Sequence, residues 1–587
     1  MAQYRLLIAF ILVFLLSFFF FLNATDREAD LILTNGVVYT VDPDNTVTEA
    51  IAVHGDRIVG VGASKEILKK FKSKNVLDLR GKSVYPGFID AHVHLLGFGA
   101  SMMILNLNGT NSVEEIQHLV AERVKSSKRG RWIRGRGWDQ NRWPSKNFPT
   151  YHDLDKVAPN NPVYLTRVDG HATWVNKAIL DLAGITKSTE DPPGGRIIRD
   201  KDGNPTGVLM DNAQDLISNV MPPPRQEEVE EAVTFAVSEW PKYGITSVQD
   251  MGVGLKVIEL YKKFIHEGKF PIRNYVAVGG ESDAWEYYLR RGPEIGYGDN
   301  HLTVRSVKLY ADGALGSRGA ALIEPYSDEP ANRGLTLISA QQIQAAAESS
   351  LAQGFQVCTH AIGDRANTYT LDAYEKAFHG KSGQPYRFRI EHAQVLALSD
   401  IPRFKKLGVI PSMQPTHCTS DMYWAEARLG PKRIRGAYAW RSLLNTGAII
   451  CGGSDVPVES PDPLLGFYAA ITRQDIEGRP NDWRNVQKHF ELSSDGITDT
   501  SAFNGGWYAS QRMTREEALK AFTIWAAYGA FEENIKGSIG VGKLADLVVL
   551  SKDIMKADPR EIPDTFVLMT LVGGKVVYER GKPVALK

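Results

Sequence analysis

His92 and His94 stand one residue apart in the run Gly87-Phe-Ile-Asp-Ala-His-Val-His-Leu95. The run reads as a strand, and strand side chains alternate, so both imidazoles fall on one face. Two imidazoles on one face can hold one metal ion. The pair says little by itself in a chain with 13 histidines, where chance spacing is common. Four further segments share its form, a short apolar or β-branched run ending in a potential ligand. They are Val304–Asp312 with Lys308 inside it, Gln356–His360, Arg387–His392 and Ala448–Asp455. Each reads as a buried strand giving way to a loop. In a barrel of parallel strands the chemistry sits at those carboxyl ends.

The spacing fits a repeating strand–helix unit of roughly 30 residues. His360 and His392 lie one unit apart. Lys308 and His360 lie further apart, and the loop-like stretch Glu324–Gly334 absorbs the excess. His392 and Asp455 lie two units apart, with Gly408–Met413 as the strand between them. Upstream, Gly244–Asp250 and Ile272–Gly279 supply two more strands. The candidate ligands then fall on strands one, four, five, six and eight of a (β/α)8 TIM-like barrel.

This order resembles the amidohydrolase superfamily, and Pro86–His94, Lys308–Gly313, Thr359–Asp364 and Ile390–Gln394 are similar to its YtcJ-like branch. The resemblance runs from about residue 30 to the end. It implies a divalent metal site, zinc above all, with one or two ions. On that resemblance His92, His94 and Asp455 hold the first ion and His360 and His392 the second. Lys308 cannot ligate as an ammonium, and by resemblance it reacts with carbon dioxide to give a bridging carbamate. A single ion is the competing arrangement, with unmodified Lys308 as a positioning charge and one of His360 and His392 catalytic. The implied reaction is hydrolysis of a C–N bond in a small amide, cyclic amide or amidine. Asp455 would then shuttle the proton from water to the leaving nitrogen.

On the substrate side, His171 in Asp169–Asn176 resembles a family segment that faces the site, where it binds substrate or stabilises an oxyanion. Arg318, in the glycine-rich loop after Lys308, is a candidate fork for a substrate carboxylate, set against a plain turn with a solvated arginine. Cys358 and Cys451 flank the ligand strands and read as packing.

Between His94 and the second strand lies far more chain than one unit needs. An insertion over about residues 106–240 is expected to shape a lid. It holds the Trp/Arg-rich stretch Arg131–Asp139. With 68 Lys and Arg against 68 Asp and Glu there is no basic field, and nucleic acid is not an expected partner. Strand–turn–strand patterns at residues 29–84 and 537–587 are each too few to bury their own faces. Together they are expected to form one small β-sandwich beside a barrel spanning residues 85–536. Three cysteines argue against a disulfide framework.

Residues 1–25 stand apart. Leu6–Leu22 carries no charge, Arg5 precedes it, and no convincing cleavage site follows. The segment reads as an uncleaved signal anchor, with a removed signal peptide as the alternative. That reading places the enzyme on a membrane or exports it. Asn23 and Asn108 are glycosylation acceptors in a eukaryotic secretory setting. Two rivals stand beside the amidohydrolase reading. One is a metal-dependent esterase or lactonase on the same site, and the other a silent binding or signalling protein with this fold.

Overall fold

The computed structural model describes residues 27–582, apart from 108, 141–142, 146, 168–171, 193–194, 219, 281, 317 and 493–499. The chain divides into two compact units, residues 1–95 with 237–587, and residues 96–236.

The first unit is built on eight parallel strands in sequential order: β1 (Phe88–Val93), β2 (Ile245–Val253), β3 (Arg273–Gly279), β4 (Leu302–Tyr310), β5 (Gln356–Ala361), β6 (Arg389–His392), β7 (Ile410–Met413) and β8 (Cys451–Gly452). All six residues of β1 are buried. A barrel strand is covered on both faces, which is why these runs are apolar without alternation. The seam between β8 and β1 closes just past β8. Val93 and Val456 form a parallel bridge, and the Asp455 N–H donates to the His92 carbonyl at 2.8 Å. Gly453 permits this approach, because a Cβ there would lie 2.7 Å from the His92 nitrogen and 2.9 Å from Asp90 Oδ1. Asp90 ties the seam from inside, accepting from the backbone of His92 and of Ser454. The fold is a (β/α)8 barrel of TIM type.

Strands from both ends of the chain form two sheets in the same unit. In the six-stranded sheet, Leu547–Leu550 lies between Val567–Val572 and Ser83–Pro86, antiparallel to both. A four-stranded sheet holds Leu31–Thr34 and Ala50–His54. Leu33, Ile51, Val53, Val84, Leu547, Val549 and Leu571 bury one core between the sheets. The buried ion pair Arg273–Asp546, with two contacts of 2.7 and 3.0 Å, joins β3 to the loop before Leu547.

The second unit carries its own six-stranded mixed sheet, with Ile133–Trp138 and Val163–Arg167 near one edge. The Trp/Arg stretch is packing. Trp138 is fully buried, edge-on to Trp174 at 6.3 Å, and its indole donates to the Leu165 carbonyl. Arg131 pairs with Glu228 and Glu231.

The expectation of a membrane anchor or exported location is corrected. No helix among the described residues is long and apolar enough to cross a membrane. Leu6–Leu22, which suggested the anchor by hydropathy alone, lies outside the described residues, as do Asn23, Asn108 and His171.

Candidate active site

A cavity of about 410 Å³ opens at the carboxyl ends of the barrel strands. Its floor is made by His92, His94, Lys308, His360, His392, His417 and Asp455. Leu315, Ile362, Trp424 and Val458 give it an apolar wall, while Gln394, Ser420, Asp421 and Glu459 give it a polar one.

Each floor residue is set by a barrel strand or by the segment that follows it. His92 lies on β1 and His94 two residues on, just past its end, and Lys308 and Tyr310 follow the period of two on β4. His392 ends β6 with φ of 71°, and Asp455 follows β8 with φ of 59°. Two non-glycine residues in the left-handed region at one site mark backbone held in place by its surroundings. Cys358, two residues before His360, points below the floor and packs with Met251 and Ala277.

The outer nitrogens of three histidines are already engaged. His92 Nδ1 meets Glu391 Oε2 at 2.7 Å, His94 Nδ1 meets the Met251 carbonyl at 3.1 Å, and His392 Nδ1 meets Gln414 Oε1 at 2.8 Å. Each partner is an acceptor, so Nδ1 carries the proton and Nε2 presents a lone pair. Those lone pairs turn towards Asp455, whose Oδ1 lies 3.5 Å from His92 Nε2 and 3.2 Å from His94 Nε2. Lone pairs facing a carboxylate need a cation between them. Protonating His92 is disfavoured, since burial pushes it down to about 4; burial likewise pushes His360 down to about 3 and takes His392 well below its ordinary value. A divalent metal fits this donor set. Among the described residues, the ligand atoms of His92, His94 and Asp455 lie within 4.8 Å of one another, and so do those of His392, His417 and Asp455.

Behind the floor, Glu391 is fully buried and paired with Arg389 at 2.7 Å. Burial opposes its charge, yet Arg389 and His92 hold the carboxyl well below the usual carboxylate range. Arg389 also donates to the Ala91 carbonyl, Ser412 and Gln249, so one guanidinium braces β1, β2, β6 and β7. Lys308 Nζ lies 3.3 Å from His92 Nε2, and burial lowers its pKa. His360 Nε2 faces Asp312 Oδ1 at 3.5 Å without a hydrogen bond. Asp312 is itself fixed by backbone N–H groups of Ala321, Ile362 and Gly363.

Six residues singled out from the sequence, His92, His94, Lys308, His360, His392 and Asp455, therefore meet in one cavity. Arg318 is not among its lining residues; the guanidinium is held by Asp328 at 2.8 Å and Glu329 at 3.4 Å. His417 was missed. It sits three residues beyond Gln414 in the short helix Pro415–Asp421, which starts where β7 ends. The signal for it was weaker than for the others: a histidine shortly after the strand Gly408–Met413 but set off from the strand end by a proline-led turn.

The family model described as "Amidohydrolase family" matches residues 75–578. The chain belongs to the amidohydrolase family. Among amidohydrolases it is 34% identical to YtcJ of Bacillus subtilis over 93% of this chain and 98% of that one, which places it in the YtcJ-like branch. It is 29% identical to the N-substituted formamide deformylase of Arthrobacter pascens over 94% of this chain and 98% of the relative. Among solved structures, a metal-dependent hydrolase of Pyrococcus furiosus aligns with a TM-score of 0.71 and 27% identity, over 90% of this chain and all of the other. The chain is thus an enzyme of a metal-dependent hydrolase superfamily.

Proposed function

We propose that this amidohydrolase hydrolyses a C–N bond in a small non-peptide amide, cyclic amide or amidine, with His92, His94 and Asp455 holding a divalent ion such as zinc. The observation that carries this reading is the convergence of two Nε2 lone pairs on one Asp455 oxygen at the barrel mouth. When bound, the ion supplies a water of lowered pKa and polarises the scissile carbonyl.

The chain's own residues do the rest. An Asp455 oxygen accepts the proton released by the attacking water and returns it to the leaving nitrogen. Glu391 and the Met251 carbonyl hold the two imidazoles in one tautomer. The lowered pKa of Lys308 favours the neutral amine. That amine adds carbon dioxide and loses a proton, forming an N–C bond and a carbamate carboxylate beside His92. The apolar wall of Leu315, Ile362, Trp424 and Val458 excludes water and seats an apolar substituent. A cavity of about 410 Å³ suits a compact substrate, and the relative named N-substituted formamide deformylase points to the same class of bond.

The test is a panel of N-substituted formamides, cyclic amides and matched esters, run with zinc-loaded and chelator-stripped protein. Turnover of amides by the loaded form alone is expected. Ester turnover without amide turnover would replace the proposed bond class, and metal-independent turnover would end the reading.

A further inference from the structure

The polar wall of the cavity carries negative charge that the reading above does not use. Gln394, Asp421 and Glu459 all line it. Gln394 lies just past the end of β6, Asp421 ends the short helix Pro415–Asp421 after β7, and Glu459 lies in the segment after β8. The donors on this wall are already engaged. The Gln394 amide nitrogen donates to Asp421 Oδ2 at 3.0 Å and to the Tyr438 hydroxyl at 2.7 Å. The Tyr438 hydroxyl donates in turn to the same Asp421 oxygen. A carboxylate only accepts, so it fixes the Gln394 amide with its nitrogen towards Asp421 and its oxygen away.

Two acceptors are left over. Gln394 is 4% exposed, and its Oε1 has no hydrogen-bond partner among the described residues. Asp421 Oδ1 has none either. The titratable groups facing Asp421 are His417, Tyr438 and Glu459, and no lysine or arginine pairs with it among the described residues. Lys308, down in the floor, is the one lysine or arginine among the lining residues. The wall is also held stiffly. The buried Tyr438 gives its backbone N–H to the Gln394 carbonyl at 2.7 Å, and its own carbonyl accepts from the buried Arg473 at 2.9 Å. Arg473 lies over the rings of Trp440 and Trp507. A carboxylate withdrawn from water, fixed by neutral donors and short of a cation, favours a ligand that brings one.

We propose that this wall is a subsite for a positively charged nitrogen group on the substrate, an ammonium or amidinium remote from the bond that is cut. Asp421 Oδ1 is its counter-ion, Gln394 Oε1 accepts a second N–H, and Glu459 adds negative charge beside them. The substrate is then a small amide with a cationic tail, and an anionic tail is repelled. This rests on the hydrolase reading above, which names the bond and leaves the rest of the substrate open.

The test uses three N-substituted methanesulfonamides of matched length, which an amide hydrolase does not cleave, with an aminobutyl, a pentyl or a carboxybutyl tail. Their binding to zinc-reconstituted protein is measured by isothermal titration calorimetry in the wild type, Asp421→Asn and Glu459→Lys. The aminobutyl probe is expected to bind the wild type about 10–100-fold more tightly than the pentyl probe, the weight of a hydrogen bond to a charged group, and the carboxybutyl probe least tightly. Asp421→Asn is expected to bring the aminobutyl and pentyl probes level. Equal binding of those two by the wild type, tightest binding of the carboxylate, or binding of none of the three would overturn the proposal. So would a preference that survives Asp421→Asn. If that variant does not fold, Glu459→Lys decides: the aminobutyl probe is expected to weaken and the pentyl probe to hold, and an unchanged aminobutyl affinity would place the preference outside this wall. The matching formamides, assayed for turnover, test the hydrolase reading separately. Turnover without a tail preference ends the subsite alone, and a tail preference without turnover of any formamide ends the reaction reading while the cation subsite stands.

Discussion

Asp455 and Glu391 carry different burdens although both are acidic residues beside His92. On the proposed mechanism Asp455 moves a proton, so Asp455→Asn is expected to keep much of the metal and to lose activity by about 10²–10⁴-fold, the usual weight of general acid–base catalysis. Metal content and turnover measured on the same preparation check this, and an unimpaired rate would remove Asp455 from the proton path. Glu391 orients an imidazole from behind, so Glu391→Gln is expected to weaken zinc by about 10–100-fold in a chelator competition. An unchanged affinity would mean that the 2.7 Å contact to His92 is structural only. Lys308→Arg supplies a fixed positive charge and cannot form a carbamate. If the lysine acts as a carbamate, the variant loses both its rate and the added mass seen by native mass spectrometry in bicarbonate. Activity retained by the arginine would show that a fixed charge is enough.

Elements bring these residues together, and the closing seam is where that is tightest. Gly453→Ala forces a methyl group against the His92 backbone and the Asp90 carboxyl. A loss of about 1–3 kcal/mol is expected from overpacking, read in denaturant melts, with weaker zinc binding alongside. An unaltered melt would show that β8 has room to shift. The same elements explain what could be read beforehand. A strand ending in a ligand is a local pattern, so His92, Lys308, His360, His392 and Asp455 were visible one strand at a time. His417 escaped because a proline-led helical turn separates it from β7, which hides it from a strand-based search. The Glu391 contact to His92 spans 299 residues, and no periodicity encodes such a pairing. Arg318 suits a carboxylate wherever one lies, and the sequence alone does not choose between a substrate fork and a plain turn; in the structure its guanidinium meets Asp328.

In the unit that holds the barrel, a buried pair, Arg273–Asp546, ties the strands near the C-terminus to β3. Asp546 is pulled below the ordinary carboxylate value; burial opposes this, but Arg273 beside it and the Gly573 N–H outweigh the cost. A depressed folded-state pKa gives stability that is complete above the unfolded value of about 3.9 and is lost as pH falls below it. Asp546→Ala is therefore expected to cost about 3–5 kcal/mol near neutrality, by stranding Arg273, and to flatten the acid limb of the stability profile. A variant with the wild-type acid limb would place that stability elsewhere. The six-stranded sheet has a further consequence. Ser83–Pro86 gains its antiparallel neighbour only from Leu547–Leu550. On the ribosome, at about 5–20 residues per second, that edge stays open for roughly half a minute to a minute and a half before its partner emerges. Throughout that interval the nascent chain offers an unsatisfied edge to whatever chaperone or neighbouring polypeptide reaches it first.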